Sequence, residues 1–315
     1  METPENFDKA MLVHHPDYYC DIGAHVFPTR KFALVRERLL AESPSLVIAE
    51  PDALTRESAL LAHTPEYLTD LDGDEHTERT RDSELPLSRQ IVSAYYLGTG
   101  GTCLASELAL KHGGGMNLSG GFHHAFADRA EGFCYLNDIA VATRNLQQRD
   151  GVGKVLIVDC DVHQGNGTAH IFQGDNSVFT FSMHQRDNYP AIKEKSDLDL
   201  DLPNGVGDDE YCETLSGALE RISAEFEADF VFYLAGVDPY ECDQLGGLKL
   251  SIDGMRRRDR VVLEWCQSSK TPVAVVLAGG YAFNTDDTVQ MHCNTYRELE
   301  SVIGRKGIAP NQTSI

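Results

Sequence analysis

The stretch KVLIVDCDVHQGNG, residues Lys154–Gly167, decides how this chain of 315 residues is interpreted. A short apolar and β-branched run, Lys154–Val158, is followed at once by Asp159, Asp161 and His163. A continuous rather than alternating apolar run predicts a strand that is buried on both faces, as in a parallel sheet covered by helices. The stretch therefore predicts a buried strand whose end carries polar side chains.

The second half of the chain repeats this pattern. Three more runs of the same kind are Val178–Phe181, Phe230–Leu234 and Val273–Leu277. Segments of helical character are Arg30–Ala41, Ser88–Lys111, Asp208–Glu227 and Gly254–Gln267. Strands that alternate with helices indicate successive βα units, so we predict an α/β fold with a central, mostly parallel sheet flanked by helices.

Unusual polar or glycine residues follow each of these three runs as well. Ser182 and His184 follow the second run and Asp238 follows the third, whereas Gly279, Gly280 and Tyr281 follow the fourth. In an open parallel sheet, ligands bind beyond the carboxyl ends of the strands. Four strand ends are therefore predicted to form one active site.

The composition is that of a globular protein, with 42% hydrophobic and 24% charged residues. No linker or repeat divides the chain, so we expect residues 1–315 to form a single catalytic domain. The N-terminus lacks the features of a signal peptide, and no apolar stretch reaches the roughly 18 residues of a membrane span. We predict a cytoplasmic protein with eight free cysteines.

The formal net charge of −22 makes DNA and RNA poor partners, because binding to phosphates depends on clustered Lys and Arg. The same charge would attract cationic substrates such as lysine-rich peptides or polyamines, although it also serves solubility alone. The charged stretch Leu71–Leu85 is predicted to form a mobile surface loop.

Two groups of residues have the composition of a catalytic site. Asp161, His163 and Asp238 combine an imidazole with two carboxylates, which suits a divalent transition metal with one open position. His123 and His124, on the glycine-rich segment GGFHH, are able to serve as general base and acid beside such a metal. Each residue alone is more often structural, but their joint placement favours a catalytic metal site.

The motifs GGFHHA, GFCYLND, VDCDVHQGNG, AGVDPY and LAGGY together resemble the histone deacetylase family over Ser88 to Tyr281. The segments AHVFPTRKF and HTPEYL extend the resemblance upstream. The tetrapeptide QGNG, the segment AHVFP and the short length are most similar to class IV members, whose bacterial relatives are compact. The resemblance implies the arginase/deacetylase fold.

The resemblance also implies a role for each matching residue. Asp161, His163 and Asp238 would bind zinc, His123 and His124 would form the acid/base pair, and Tyr281 would polarise the substrate carbonyl. The substrate would contact Gly132, through its carbonyl oxygen, as well as Phe133, Tyr189 and Gly280. A structural potassium ion would be held by Asp159, Asp161, the backbone oxygens of His163 and Met183, and the hydroxyl of Ser182.

The second ring nitrogen of each histidine needs a partner. We expect Asp159 to hold His123 and Asn166 to hold His124, where many deacetylases have an aspartate in place of Asn166. A neutral amide stabilises imidazolium less than a carboxylate, so we predict that Asn166→Asp moves the acidic limb of the pH–rate profile upward. His25 is expected near the mouth of the site, and His184 is expected among the residues that surround the catalytic groups.

Several functions fit these features. The first is hydrolysis of an Nε-acyl-lysine amide, with acetyl or a longer fatty acyl group, in a peptide or protein. A second is deacetylation of an acetylpolyamine or another small molecule, and a third is a non-catalytic module that binds acyl-lysine. An arginase-like dinuclear manganese enzyme is less consistent with the LAGGY tyrosine. Iron(II) or cobalt(II) suits the same ligands as zinc, and the oligomeric state stays open.

Overall fold

The computed structural model describes residues 11–304, which contain one parallel sheet of eight strands. The strand order is β2-β1-β3-β8-β7-β4-β5-β6, and every neighbouring pair is parallel. The strands are β1 (Leu12–Val13), β2 (Ile48–Ala49), β3 (Gly114–Asn117), β4 (Val155–Asp159), β5 (Val178–Gln185), β6 (Leu198–Leu202), β7 (Phe230–Leu234) and β8 (Val273–Val276).

Helices cover both faces of this sheet. The α-helices are Lys31–Glu42, Arg56–Ala59, Pro65–Asp72, Arg89–His112, Asp138–Arg149, Asn166–Ile171, Asp208–Glu225, Ile252–Ser269 and Thr285–Leu299. Short 3-10 turns lie at Pro16–Tyr18 and Arg81–Ser83, and a π-helical turn at Glu300–Gly304. Within residues 11–304, no helix has the length and apolar character needed to cross a membrane.

Strand β4 is buried on both faces, as its continuous apolar sequence predicts. Val155 and Ile157 pack into a hydrophobic cluster with Ile139 of one helical layer. Leu156 points the other way, into a second cluster with Leu215 of the opposite layer. Alternate side chains thus reach opposite layers, which confirms the prediction of a parallel sheet between helices.

The four predicted helices are present, with ends that differ by at most two residues from the predicted ones. Ser88 caps the long helix Arg89–His112 by accepting the N–H of Ile91, and Gly113 ends it in a left-handed conformation. The eight cysteines are all free, and most are buried, as expected.

The prediction for the second apolar run was wrong at its end. Strand β5 does not stop at Phe181 but continues to Gln185, because β6 pairs with Phe181–Gln185 in parallel register. The sequence LDLDL of β6 alternates leucine with aspartate, which is typical of an edge strand with one solvated face. Because β6 contains no continuous apolar run, it was not predicted. Ser182 and His184 therefore lie within the sheet and not beyond its end.

Candidate active site

The candidate metal ligands begin where the chain bends away from the end of β4. Asp159 accepts the N–H of Asp161 at 3.1 Å, and Asp161 accepts the N–H of His163 at 3.0 Å, each through its Oδ1 atom. Aspartates commonly stabilise turns in this way. These bends, and not an extended chain with alternating sides, bring the side chains together, which corrects the geometry assumed from the sequence.

Asp161, His163 and Asp238 form a buried group whose candidate ligand atoms all lie within 4.8 Å of one another. His163 Nδ1 is 3.0 Å from Asp161 Oδ1 and 3.3 Å from Asp238 Oδ2. The other carboxylate oxygens accept backbone N–H groups, from Gly279 to Asp161 and from Val162 to Asp238, both at 2.8 Å. Asp238 Oδ2 is buried without a hydrogen bond from any residue in the described part of the chain.

The electrostatics of this group fit a bound cation. Burial, together with the charge of Asp161, raises the pKa of Asp238 to about 7. Burial alone would lower the pKa of His163, but its contacts with Asp161 and Asp238 raise it to about 10. A divalent cation in place of the shared proton would satisfy both carboxylates and leave a neutral imidazole ligand. One nitrogen and two carboxylate donors match catalytic zinc sites.

The loop Gly120–His124 carries the two imidazoles of His123 and His124. Its path is fixed by the buried carboxylate of Asp138, which accepts the N–H groups of Gly121 at 3.0 Å and Phe122 at 2.7 Å. Gly121 has a positive φ of 81°, and a Cβ there would lie 2.6 Å from Ala278. Only glycine allows the loop to approach the sheet this closely.

The two histidines occupy the positions that the sequence predicts. His123 Nδ1 lies 2.7 Å from Asp159 Oδ2, and His124 Nδ1 lies 2.7 Å from Asn166 Oδ1. Burial opposes charge on His123, yet the Asp159 carboxylate raises its pKa to about 9. Burial and then the charge of His123 hold the pKa of His124 well below its usual value. The two pKa shifts therefore have opposite directions, which favours a charged His123 and a neutral His124.

A tight turn at Glu131–Cys134 forms one wall of the site. Gly132 and Phe133, with φ values of 49° and 64°, are both left-handed. A Cβ on Gly132 would come within 2.6 Å of the His124 ring, so this position requires glycine. The left-handed conformation is uncommon for phenylalanine, and such residues concentrate at functional sites.

The Glu131–Cys134 turn is hydrogen-bonded to the charged stretch Leu71–Leu85, which was predicted to be a mobile loop. Asp82 and Ser83 accept the N–H groups of Gly132 at 3.1 Å and Phe133 at 2.8 Å through their backbone carbonyls. Ser83 is fully buried. Part of Leu71–Leu85 is thus a structural support of the pocket, a role that its charged composition did not indicate.

Two cavities meet at these residues. The outer cavity, of about 200 Å³, is open to solvent and is lined by His163, Leu245 and Tyr189 among others. The inner cavity, of about 30 Å³, is lined by glycines and by aromatic side chains that include Phe27, Phe32 and Phe122. Four residues line both cavities: His124, Gly132, Phe133 and Tyr281.

Gly280 lies in the chain between Gly279 and Tyr281, which both line the inner cavity. It lines neither cavity, and its missing Cβ would lie 2.5 Å from Val237, so the structure gives it a packing function. Its neighbour Gly279 lines the inner cavity instead. A contact between Gly280 and substrate stays a prediction.

Tyr281 is held by residues that sequence reasoning missed. Asp243 accepts the N–H of Tyr281 at 2.7 Å, and the buried Lys31 donates through Nζ to the carbonyl of Ala278 at 2.7 Å. Burial, with the nearby charge of Asp161, raises the pKa of Tyr281 well above its usual value, so its hydroxyl keeps its proton. Asp243 lies in no motif, and the segment AHVFPTRKF, which contains Lys31, carries no signal of a partner near Tyr281.

The residues predicted to bind potassium lie together at β4 and β5. Asp159 and Ser182 are register partners across the two strands, and Met183 is buried beside Ser182. The hydroxyl of Ser182 pairs with His184 Nδ1 at 2.9 Å, and Asp159 already contacts His123 and the N–H of Asp161. Potassium binding stays a prediction.

The two remaining histidines of interest have different surroundings. The ring of His25 is 4.8 Å from that of Phe133, at the pocket wall, as expected for a residue near the mouth. His184 is fully buried in β5, and its Nε2 atom lies 2.9 Å from Asp201.

The chain matches the family model of the histone deacetylase domain over residues 25–296. It is 44% identical over 296 residues to a protein of Picosynechococcus sp., covering 92% of this chain and 98% of the other. It is 30% identical over 269 residues to histone deacetylase 2 of Arabidopsis thaliana, covering 82% of this chain and 70% of the other.

Solved structures show the same architecture. An HDAC homologue complexed with SAHA has a TM-score of 0.78 at 24% identity, covering 93% of this chain and 84% of the other. Acetylpolyamine aminohydrolase from Burkholderia pseudomallei has a TM-score of 0.77 at 21% identity, covering 93% of this chain and 99% of the other. The eight-stranded sheet with its flanking helices has the arginase/deacetylase fold.

Proposed function

The chain belongs to the histone deacetylase family, and we propose that it is a zinc-dependent hydrolase that removes the acetyl group from Nε-acetyl-lysine. The observation that carries this proposal is the junction of the two cavities. There, the buried donor set Asp161, His163 and Asp238 lies beside the imidazole pair and Tyr281.

When bound, zinc supplies a Lewis acid for the amide carbonyl and lowers the pKa of water from about 16 to about 7. His124, neutral and with a low pKa, accepts the proton of the attacking water and returns it to the departing amine. His123 stays protonated against Asp159 and stabilises negative charge that develops nearby. The Tyr281 hydroxyl donates to the oxyanion, and the Gly132 carbonyl accepts the substrate amide N–H.

Cavity size supports a short acyl group. His163 lines the outer cavity and Asp161 lines the inner one, so a lysine stem in the larger outer cavity would direct the acyl group into the inner cavity. A volume of about 30 Å³ accommodates a group of the size of a methyl or a water molecule. Octanoyl and myristoyl chains would require the rings of Phe27, Phe32 and Phe122 to move, so acetyl is the proposed substrate in preference to longer chains.

Acetylpolyamines are a second candidate substrate. The net charge of −22 and the carboxylate of Glu84 at the outer cavity favour a cationic substrate. The likeness to an acetylpolyamine aminohydrolase agrees with this candidate. Lysine peptides stay first because the outer cavity is open.

The test is hydrolysis of matched peptides with acetyl-, octanoyl- and myristoyl-lysine, and of acetylputrescine, by the zinc-loaded protein. We expect acetyl-lysine turnover that is lost on chelation and in His124→Ala. Turnover of acetylputrescine alone would move the assignment to polyamines, and turnover of the long chains alone would contradict the acetyl preference. No turnover of any substrate would refute the enzyme and support an acyl-lysine binding module. Reconstitution with iron(II) or cobalt(II) compares the metals.

Potassium binding has a separate test. We propose that potassium stabilises the fold at Asp159, Asp161, His163, Ser182 and Met183. The melting temperature of the protein should therefore be higher in potassium chloride than in choline chloride at equal ionic strength. Equal melting temperatures would contradict the potassium site.

A further inference from the structure

The hydrogen-bond network of His124 extends beyond the predicted site to Glu131. Asn166, which contacts His124 through Oδ1, donates from Nδ2 to Glu131 Oε1 at 2.6 Å. The same carboxylate oxygen accepts the hydroxyl of Tyr189 at 3.1 Å. Asn166 is 2% exposed, whereas the Glu131 side chain is 20% exposed, so the network runs from the buried ring towards the pocket mouth.

The chemistry of an amide makes this contact decisive. An amide can face an imidazole with either its oxygen or its nitrogen, and the two orientations select opposite ring tautomers. A carboxylate only accepts hydrogen bonds, so Glu131 fixes Nδ2 of Asn166 on its own side. The amide oxygen must then face His124 Nδ1, which has to carry the hydrogen, and Nε2 of His124 keeps its lone pair.

We propose that Glu131 is a positioning residue that, through Asn166, selects the tautomer of His124 able to accept a proton at Nε2. This inference rests on the proposed deacetylase function and adds to it the residue that orients the base. The other oxygen of this carboxylate, Oε2, lies 3.7 Å from the guanidinium of Arg129, so Oε1 is the oxygen that contacts Asn166 and Tyr189.

The same carboxylate also orients one wall of the pocket. The ring of Tyr189 lies 5.0 Å from that of His124, at an angle of 89° between the planes. Its hydroxyl is held only by Glu131 among the residues that the structure describes. Glu131 thereby couples the orientation of the base to the wall that contacts the substrate stem.

Glu131 alters the outcome expected for Asn166→Asp. An aspartate at this position would place a second carboxylate about where the amide now lies 2.6 Å from Glu131. Two carboxylates so close cannot both be charged without repulsion. The single substitution should therefore disrupt the network instead of simply making His124 more basic, whereas Asn166→Asp combined with Glu131→Gln restores a donor facing an acceptor.

Steady-state hydrolysis of acetyl-lysine peptide by the two single variants and the double variant tests this prediction. We expect Glu131→Gln to lower kcat about tenfold and Asn166→Asp about 100-fold, the range for residues that orient a catalytic group. The double variant should recover most of the Asn166→Asp loss. Losses that simply multiply in the double variant would overturn the proposal.

Tyr189→Phe is the matched control, because it removes the other partner of Glu131 Oε1 and leaves the amide contact intact. We expect this variant to raise KM with little change in kcat and to leave the rescue by the double substitution in place. A fall in kcat equal to that of Glu131→Gln would overturn the proposal, since the effect would then come from the pocket wall.

A readout independent of turnover is the ¹⁵N spectrum of the histidine rings in the zinc-free protein, with His124 assigned by comparison with His124→Ala. We expect the Nδ1–H tautomer in the wild type and a mixture or the opposite tautomer in Glu131→Ala, which removes the acceptor of the Asn166 Nδ2 hydrogen bond. An unchanged tautomer would overturn the proposal. Absence of turnover in the wild type would instead refute the deacetylase function, so the two failures are distinguishable.

Discussion

His123 and His124 are neighbours in the chain, are both buried, and have Nε2 atoms 3.1 Å apart, yet they face different partners. The carboxylate of Asp159 raises the pKa of His123 to about 9, although burial opposes this. Burial and the charge of His123 lower the pKa of His124 well below its usual value, and Asn166 offsets this only in part. Two identical side chains thus have pKa values shifted in opposite directions, because only His123 has a carboxylate behind its ring.

The largest expected effect on kcat tests the different roles of His123 and His124 directly. His124→Ala should lower kcat by about 1,000-fold, because it removes the only ring of the pair that is free to accept a proton. The loss of kcat in His123→Ala should be about tenfold smaller than the loss in His124→Ala, because His123 acts through its charge alone. Steady-state kinetics with acetyl-lysine peptide measures both, and a greater loss in His123→Ala would reverse the assignment.

Tyr281→Phe extends the comparison of His123 and His124 to a third group, the Tyr281 hydroxyl, which does not exchange its proton during the reaction. Removal of one oxyanion donor costs about 100-fold in kcat. Since the pKa of Tyr281 lies far above neutrality, the shape of the pH–rate profile should stay that of the wild type. A changed acidic limb in this variant would show that Tyr281 influences the imidazole pair.

The smallest effect on activity, but a clear one on stability, is expected from Asp159→Asn. In the zinc-free protein the pKa of His123 rises from 6.5 unfolded to about 9 folded, so its stabilising contribution is complete below pH 6.5 and is lost as the pH rises through 9. This contribution amounts to at most about 3 kcal/mol. Asp159→Asn should remove it.

Urea unfolding of the zinc-free wild type and Asp159→Asn at pH 6, 7, 8 and 9 measures the difference in free energy of unfolding. His163 also has a raised pKa, but it is present in both proteins, so the difference between them reports on the Asp159–His123 pair. We expect the two free energies to converge towards high pH. A difference that is independent of pH would show that Asp159 stabilises the fold by other contacts.

The strands that are buried on both faces were predictable from the sequence, because a continuous apolar run such as Phe230–Leu234 is stable only where both of its faces are shielded from water. Strand β6 was not predictable, since its alternating aspartates are typical of many surface segments. Strands β1 and β2 also escaped prediction, because they are two residues long and depend on pairing with β3 and with each other.

Within the candidate site, the motifs predicted the histidine partners Asp159 and Asn166, whereas orienting residues outside the five motifs were not predicted. The pairing of His123 with Asp159 and of His124 with Asn166 agrees with the prediction. Asp243 and Glu131 contact the site through long-range packing, and a carboxylate in a loop carries no local signal of its partner. The periodicity and spacing of residues in a sequence indicate only local chain geometry. Contacts between segments that are distant in the sequence therefore cannot be predicted from them.

The two carbonyls of Asp82 and Ser83 that hold the Gly132–Phe133 turn have a consequence for local opening of the molecule. Loops open with lower free energy than the strands of a core, so the pocket wall can separate from its support while the sheet remains folded. The amide protons of Gly132 and Phe133 would then exchange with solvent at the rate set by the loop. Access to the pocket would accordingly depend on local opening at Asp82 and Ser83, and not on unfolding of the sheet.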